Sequence, residues 1–168
     1  MKTYLVTGGT GFIGSALVKR LVKEGYSVRV LDNDVRGAKE RLKDIYDKIE
    51  FIEADVRDAN AVKKACNGAD SVIHLAYING TEYFYKMPEL VLEVGVKGIM
   101  NVIDGCIKEN IKELVLASSS EVYQTAKKIP TDETAPLLIP DPLNPRYSYG
   151  AGKIISELLA LNYGRKYF

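Results

Sequence analysis

The sequence predicts an α/β fold in which a parallel, doubly wound sheet is covered by helices on both faces. Two patterns in the 168 residues lead to this prediction. Short runs of β-branched and other apolar residues alternate with longer stretches whose apolar residues recur at helical spacing. The short runs are almost entirely apolar, as expected for strands that are buried on both faces. One domain of this kind is expected over residues 1–168.

Five strands and four helices are predicted in alternation. The strands are Thr3–Thr7, Ser27–Leu31, Ile49–Glu53, Ser71–Leu75 and Glu113–Ala117. The helices are Phe12–Leu21, Ala59–Cys66, Leu90–Lys108 and Tyr149–Arg165. Gly25 follows the first helix as a stop signal. Gly95, Gly98 and Gly105 each weaken the third helix by up to about 1 kcal/mol relative to alanine.

Charge and composition argue against several classes of partner. The chain has 23 basic and 22 acidic residues, so its formal net charge of +1 predicts no binding to nucleic acid. Its apolar runs are far shorter than the ~20 residues that span a bilayer, and no membrane association is predicted. Cys66 and Cys106 stand alone in helical stretches, which favours a reducing compartment, and the expected location is the cytoplasm. No metal site is predicted.

A glycine-rich turn, TGGTGFIGS, joins the first strand to the first helix. Its glycines fit both Gly9-x-Gly11-x-x-Gly14 and the wider Gly8-x-x-Gly11-x-x-Gly14. Such spacing provides a tight turn, a backbone that can approach a pyrophosphate, and a helix packed close to the sheet. The phosphates would lie at the positive end of the helix. The alternative is an ordinary strand-to-helix turn.

An acidic residue stands at the end of the second strand. Asp32 lies eighteen residues past Gly14. A carboxylate at this place can accept hydrogen bonds from both ribose hydroxyls of an adenosine, and it repels a 2′-phosphate. The order of strand, turn, helix, strand and acid therefore predicts a dinucleotide site that prefers NAD to NADP. Arg36 keeps the second point open, because an arginine near this site can receive a phosphate.

The last predicted helix carries a tyrosine and a lysine four residues apart, Tyr149 and Lys153, which places them on one face. A free phenol has a pKa of ~10, too high for a general base at neutral pH. A neighbouring ammonium and a positively charged nicotinamide would both lower that pKa. The pair is a candidate for proton transfer, and the alternative is a packed tyrosine beside a surface lysine.

The sequence SSSEVY follows the fifth strand directly, at residues 118–123. Because the carboxyl ends of parallel strands line the ligand crevice, a hydroxyl here can hydrogen-bond the substrate oxygen that Tyr149 deprotonates. The alternative is a serine-rich turn or a helix cap. The following segment, Gln124–Tyr147, carries five prolines and predicts a long loop of the kind that forms lids and binding sites.

Together these motifs resemble the extended short-chain dehydrogenase/reductase family, and within it the NAD-dependent nucleotide-sugar epimerases, dehydratases and decarboxylases. The resemblance covers essentially the whole chain, through TGGTGFIG, LDN, AD, HLA, SSSEVY and YSYGAGK. It implies a Rossmann domain and catalytic roles for Ser119, Tyr149 and Lys153. The NAD-binding positions that it implies are Gly8, Gly11, Phe12, Ile13, Gly14, Asp32, Asn33, Asp55, Val56, Leu75, Ala76, Tyr149 and Lys153.

Glu121 bears on the subclass. In dehydratases of the family a glutamate before the Val-Tyr pair abstracts a proton next to a transient ketone, and decarboxylases often show Ser-Glu, as Ser120-Glu121 does here. Many epimerases lack this glutamate. The resemblance thus implies acid/base work by Glu121 beyond hydride transfer, and the alternative is a solvated glutamate that caps a turn.

Several positions depart from the family pattern. Gly95 stands where the middle helix usually carries an asparagine that helps to organise the site around the catalytic lysine. Tyr77 replaces a small residue after HLA, and Gln124 replaces the glycine after Val-Tyr. The single histidine, His74, is expected to be structural.

Members of the family are longer than this chain, and continue after the Tyr-Lys helix with further strands and a smaller domain that binds the nucleotide sugar. The chain is therefore expected to be the N-terminal, cofactor-binding part, with little turnover of its own. The middle and last helices carry apolar residues on more than one face, and the resemblance implies that they pair in a homodimer. Two other functions stay open, a non-catalytic NAD-binding module and an NAD(P)-dependent reductase of the same fold.

Overall fold

The computed structural model describes all 168 residues and contains one sheet of five parallel strands. The strands are β1 (Thr3–Thr7), β2 (Ser27–Asp32), β3 (Ile49–Glu53), β4 (Ser71–His74) and β5 (Leu114–Leu116). Their order across the sheet is β3-β2-β1-β4-β5. The chain thus builds outward from β1 to one edge and then returns to build outward to the other edge. This reversal is the doubly wound arrangement that the sequence predicts, and it creates a crevice at the carboxyl ends of β1 and β4.

Six helices connect and cover the strands. They are α1 (Phe12–Lys23), α2 (Ala59–Cys66), α3 (Thr81–Lys86), α4 (Pro88–Leu92), α5 (Gly98–Lys108) and α6 (Ser148–Tyr167). Local signals explain some of their limits. Asp58 caps α2 by accepting hydrogen bonds from the backbone N–H groups of Asn60 and Ala61. Gly25, with a φ of 85°, ends the turn after α1. No helix combines the length and the apolar composition that crossing a bilayer requires.

The two faces of the sheet are buried in separate apolar clusters. Neighbouring residues of one strand belong to opposite clusters, since side chains alternate along a strand. Leu5 and Leu31 pack on the side of α2 and α5, whereas Val6 and Val30 pack on the side of α1. All four side chains are fully buried, and each contributes roughly 1.5–3 kcal/mol relative to an exposed position.

The third predicted helix, Leu90–Lys108, is confirmed as one continuous helical stretch, but it is not α-helical throughout. The structure divides this stretch into α4, a π-helical turn over Glu93–Lys97, and α5. Gly95 lies in the middle of the turn, and a Cβ atom there would overlap the hydroxyl of Tyr77. The extra backbone width of the turn and the missing side chain together make room for the Tyr77 ring, which sequence periodicity does not reveal.

Smaller differences concern element ends and one short helix. β4 ends at His74 and not at Leu75, and β5 is shorter than the predicted Glu113–Ala117. Helix α3 was not predicted, because its six residues, TEYFYK, are too few and too uniformly aromatic for a helical repeat to be recognised. It nevertheless matters for the site, because it places Phe84 in the core.

Candidate active site

The glycine turn packs directly against the loop that follows β4. Gly8 has a φ of 74°, and a Cβ atom on it would lie only 2.7 Å from the backbone nitrogen of Ala76. A Cβ atom on Gly14 would overlap the carbonyl oxygen of Gly8. Both glycines are therefore required by close backbone contacts, as expected for a turn that brings α1 against the sheet.

The N-terminus of α1 offers free donors toward the crevice. Its N-cap is Gly11, so no side chain caps the helix, and the first N–H groups have no partner within the helix. Phe12 and Ile13 form the first turn and their side chains are exposed. The positive end of the helix dipole adds to the preference of this place for a phosphate.

A cleft opens beside the glycine turn. Eight of the predicted NAD-binding residues line it: Gly8, Gly11, Asp32, Asn33, Asp55, Val56, Leu75 and Ala76. The other five, Phe12, Ile13, Gly14, Tyr149 and Lys153, do not line it. The sequence had not placed Tyr77, Ile78 and Val94 there, yet all three are lining residues.

Asp32 is almost fully buried and connects the end of β2 to the glycine turn. One carboxylate oxygen accepts a hydrogen bond from the backbone N–H of Thr10 at 2.9 Å, and the other accepts from that of Asp34 at 2.9 Å. Each carboxylate oxygen has a second lone pair, so acceptor capacity remains for hydroxyl groups in the cleft. Arg36, which also lines the cleft, forms no ion pair, and its guanidinium lies 5.3 Å from the ring centroid of Tyr83.

Asp55 is held as a carboxylate at the far end of the cleft. Arg57 donates to both of its oxygens, at 3.0 and 2.9 Å, and Asn33 donates to it at 3.0 Å. The hydrogen bonds from Arg57 keep the pKa of Asp55 below its ordinary value. The group is thus an acceptor at neutral pH, of the kind that suits an exocyclic amino group.

The structure brings the three predicted catalytic residues together at the carboxyl edge of β5. Ser119 lies near Tyr149, and its hydroxyl oxygen accepts a hydrogen bond from the backbone N–H of Glu121 at 3.2 Å. Burial raises the pKa of Tyr149, and the neighbouring Ser119 hydroxyl partly offsets this rise. The Lys153 ammonium lies 5.8 Å from the centroid of the Tyr149 ring.

Lys153 is only 3% exposed, which is unusual for a lysine. Its Nζ donates to the carbonyl oxygen of Ala117 at 2.6 Å and lies 4.2 Å from the centroid of the Tyr77 ring. Burial lowers the pKa of Lys153 to about 8. Burial therefore disfavours the charged forms of Tyr149 and Lys153 alike. Because both groups are shielded from water, a neighbouring charge shifts the pKa of each strongly.

Glu121 is part of the wall around this trio. Its carboxylate accepts a hydrogen bond from Arg146 at 2.8 Å, which ties the end of the long proline-rich loop to the turn after β5. The Arg146 guanidinium lies 5.1 Å from the ring centroid of Phe84, which in turn stacks on Tyr149 with centroids 5.5 Å apart. Arg146 was not identified from the sequence, since it lies 25 residues from Glu121.

His74 occupies the structural position expected for it. Its Nδ1 lies 2.7 Å from the hydroxyl oxygen of Thr7, and the side chain is buried at the end of β4. Burial, reinforced by the charge of Lys153, lowers the pKa of His74 to about 3. A histidine that stays neutral at physiological pH is a poor general acid, in keeping with the structural interpretation.

The sequence profile of the NAD dependent epimerase/dehydratase family matches residues 4–168. The chain belongs to this family. It is 33% identical over 162 residues to the UDP-N-acetyl-alpha-D-glucosaminuronate decarboxylase of Bacillus cytotoxicus, covering 96% of this chain and 50% of that protein. It is 35% identical over 165 residues to a putative UDP-glucose 4-epimerase of Methanocaldococcus jannaschii, covering 97% and 51%.

The same family is found among solved structures. UDP-glucose 4-epimerase from Brucella ovis in complex with NAD aligns with a TM-score of 0.86 at 27% identity, covering 99% of this chain and 49% of that one. The resemblance predicted from the motifs is thereby confirmed, together with the Rossmann-type fold and NAD as the cofactor of the family. The chain spans about half the length of the curated relatives that it matches.

Proposed function

We propose that this chain provides the NAD-binding and dehydrogenating part of a nucleotide-sugar epimerase, dehydratase or decarboxylase. The observation that carries the proposal is the position of Ser119, Tyr149 and Lys153. They meet at the carboxyl edge of the sheet, the same edge that carries the glycine turn. A non-catalytic NAD-binding module has no use for this trio. An ordinary reductase stays the weaker alternative, because the relatives named above are epimerases and a decarboxylase.

The residues of the cleft fit the parts of NAD. The backbone at Gly8, Gly11 and Gly14 and the first turn of α1, with Phe12 and Ile13, would hold the pyrophosphate. Asp32 and Asn33 would hold the adenosine ribose, and Asp55 and Val56 the adenine. Leu75 and Ala76 would form the wall behind the dinucleotide. Tyr149 and Lys153 lie behind Tyr77, which does line the cleft, and they would stand at the nicotinamide end.

The trio supplies proton transfer. Bound NAD⁺ provides the acceptor for a hydride from the sugar carbon. Tyr149 would remove the proton of the hydroxyl on that carbon, and Ser119 would hold the oxygen by a hydrogen bond. The Lys153 ammonium would favour the phenolate form of Tyr149 and so oppose the burial that raises the pKa of this phenol. Oxidation of the carbon to a ketone is the step that epimerisation, dehydration and decarboxylation have in common, and the hydride returns to the sugar at the end.

Glu121 separates the candidate reactions. Dehydration and decarboxylation could use a second acid/base group, and Glu121 lies two residues from Ser119 in the same turn. Its carboxylate is paired with Arg146, so acting as a base requires that pair to open. We propose Glu121 as this second group. In a version of the protein as long as its relatives, Glu121→Gln should abolish dehydration or decarboxylation and leave epimerisation largely intact. Equal loss of every reaction in that version would assign Glu121 to loop anchoring alone.

A homodimer through α6 forms part of the proposal. Leu158 and Leu161 are 56% and 59% exposed on this helix. Neighbouring exposed leucines favour an interaction with another apolar surface. At tens of micromolar protein, light scattering should give a mass equal to two chains. The Leu161→Glu variant should have the mass of one chain. A monomeric mass for the unsubstituted protein would contradict this assignment.

Calorimetry tests the central proposal directly. Titration with NAD⁺ should show one site per chain, and Lys153→Met should weaken binding because Lys153 is placed at the nicotinamide end. Lys127→Met is a matched control, since Lys127 lies on the proline-rich loop beyond the NAD cleft. No binding of NAD⁺ by the unsubstituted chain would refute the proposed function.

A further inference from the structure

Tyr77 lies between the cleft and the Tyr149–Lys153 pair. It lines the cleft beside the glycine turn, and its ring packs edge-on against Tyr149 with centroids 5.0 Å apart and an angle of 78°. The ammonium of Lys153 lies 4.2 Å from the centroid of the same ring, closer than it lies to the ring of Tyr149. One side chain therefore contacts both members of the proton-transfer pair.

The hydroxyl of Tyr77 does not explain why a tyrosine stands here. It is buried and has no hydrogen-bond partner, which is unfavourable for a polar group. It fits into a slot between Gly95, in the π-helical turn, and Gly152, in α6, and a Cβ atom on either glycine would overlap it. Two helices from distant parts of the sequence thus leave room for this ring. The benefit must come from the ring itself.

The face of the Tyr77 ring is one of the few groups near Lys153 that favour the charged form of this lysine. The titratable groups around its ammonium are few: Glu157 and Tyr149 come from α6, and His74, which is neutral, comes from β4. Glu157 is itself engaged by the hydroxyl of Ser118. Burial opposes the charge on Lys153, and the ring face of Tyr77, being electron-rich, favours it.

We propose that Tyr77 is a positioning residue whose ring face holds the Lys153 ammonium, in its charged form, beside Tyr149. The slot formed by Gly95 and Gly152 sets the orientation of the ring. This inference rests on the proposed function only for its purpose, since the charge of Lys153 is what would activate Tyr149. The contact itself exists in the chain whatever reaction it serves.

The charge state of Lys153 can be measured without cofactor or substrate. In ¹³C-labelled protein, the Cε resonance of Lys153, assigned by its loss in Lys153→Met, reports the pKa. Tyr77→Leu keeps the position apolar and removes the ring, so the pKa of Lys153 should fall by about one pH unit. Tyr77→Phe keeps the ring and should leave the pKa near that of the unsubstituted chain. An unchanged or higher pKa in Tyr77→Leu would overturn the inference.

A second pair of variants tests the slot and guards against a misfolded Tyr77→Leu. In Gly152→Ala the new Cβ would overlap the Tyr77 hydroxyl but would lie 3.4 Å from the ring carbon that carries it, an ordinary contact. Gly152→Ala alone should therefore displace the ring and lower the pKa of Lys153. Adding Tyr77→Phe should restore it. If the double variant titrates like Gly152→Ala alone, the ring does not set the charge of Lys153.

The outcomes of this titration are separable from those of the calorimetry. A chain that fails to bind NAD⁺ would contradict the proposed function while the Tyr77 contact could still be measured. A chain that binds NAD⁺ normally but shows no dependence of the Lys153 pKa on Tyr77 would contradict only the positioning role.

Discussion

The two sides of the candidate active site are held by different kinds of contact. The glycine-turn side, residues 7–15 with Asp32, is held by backbone: Gly8 donates to the carbonyl oxygen of Leu31, and Asp32 accepts from the backbone of Thr10. The Tyr-Lys side, residues 117–121 with Tyr149 and Lys153, depends on side chains from distant segments. Backbone-determined sites are therefore readable from short sequence patterns, whereas side-chain packing between distant segments is not.

Particular residues show where prediction from sequence succeeds. Asp32, Gly8 and Gly11 lie together at one cleft, as the sequence predicts, because strand, turn and helix follow one another in the chain and their geometry is local. The positions of Ser119, Tyr149 and Lys153 also follow from motif spacing and the rule that strand ends share one edge. The fold class needed only the alternation of apolar runs.

Other residues show why the rest could not be predicted. Gly95 and Tyr77 were each noted as departures from the family pattern, but nothing in their spacing indicates that one makes room for the other. The ion pair of Glu121 with Arg146 joins residues separated by the whole proline-rich loop. The burial of Lys153, which lowers its pKa, depends on that same packing.

The largest expected effect concerns turnover. It tests whether the glycine-turn side and the Tyr-Lys side are sufficient for catalysis by themselves. Positioning a substrate against its reaction partner can supply about 7–11 kcal/mol of barrier reduction. The chain spans about half the length of its relatives, so we expect it to bind NAD⁺ yet convert UDP-sugars at least roughly five orders of magnitude more slowly than an ordinary enzyme of this type. Chromatographic analysis of the sugars after overnight incubation checks this. If the chain converts UDP-sugars at normal enzyme rates and Tyr149→Phe abolishes this activity, the chain positions its substrate without any further residues.

The second effect tests the backbone character of the glycine-turn side. Gly8→Ala combines a left-handed backbone with overlap against Ala76, and should lower the free energy of unfolding by about 2–4 kcal/mol and eliminate NAD⁺ binding. Gly25→Ala is the control, because Gly25 has a similar φ of 85° and open space around it. It should cost about 1–2 kcal/mol and leave binding unchanged. Urea denaturation and calorimetry measure both, and equal costs would rule out the close contact as the reason for Gly8.

A pH titration sharpens the contrast from the Tyr-Lys side. The pKa of Lys153 falls from 10.5 in an ordinary lysine to about 8 in the folded chain, so the unfolded chain binds more protons between these values. The free energy of unfolding should therefore rise with pH in that window. Relative to Lys153→Met, we expect a gain of about 2–3 kcal/mol from pH 8 to pH 10, measured by urea denaturation. If the free energies of unfolding of the two proteins differ by the same amount at pH 8 and pH 10, burial does not lower the pKa of Lys153.

The smallest effect concerns the choice between NAD and NADP. Two residues that line the same cleft, Asp32 and Arg36, have opposite effects on a 2′-phosphate. Asp32 disfavours a 2′-phosphate by charge, whereas Arg36 lines the same cleft without an ion pair and could attract one. We expect NAD(H) to bind more tightly than NADP(H), and Asp32→Asn to narrow the ratio by roughly tenfold because one charge-assisted contact is lost. Arg36→Gln should weaken NADP(H) more than NAD(H), which gives the opposite change. Calorimetric affinities for both cofactors decide between them. If the unsubstituted chain binds the two equally, the buried carboxylate of Asp32 serves only to hold Thr10 and Asp34, and discrimination has to come from elsewhere in the cleft.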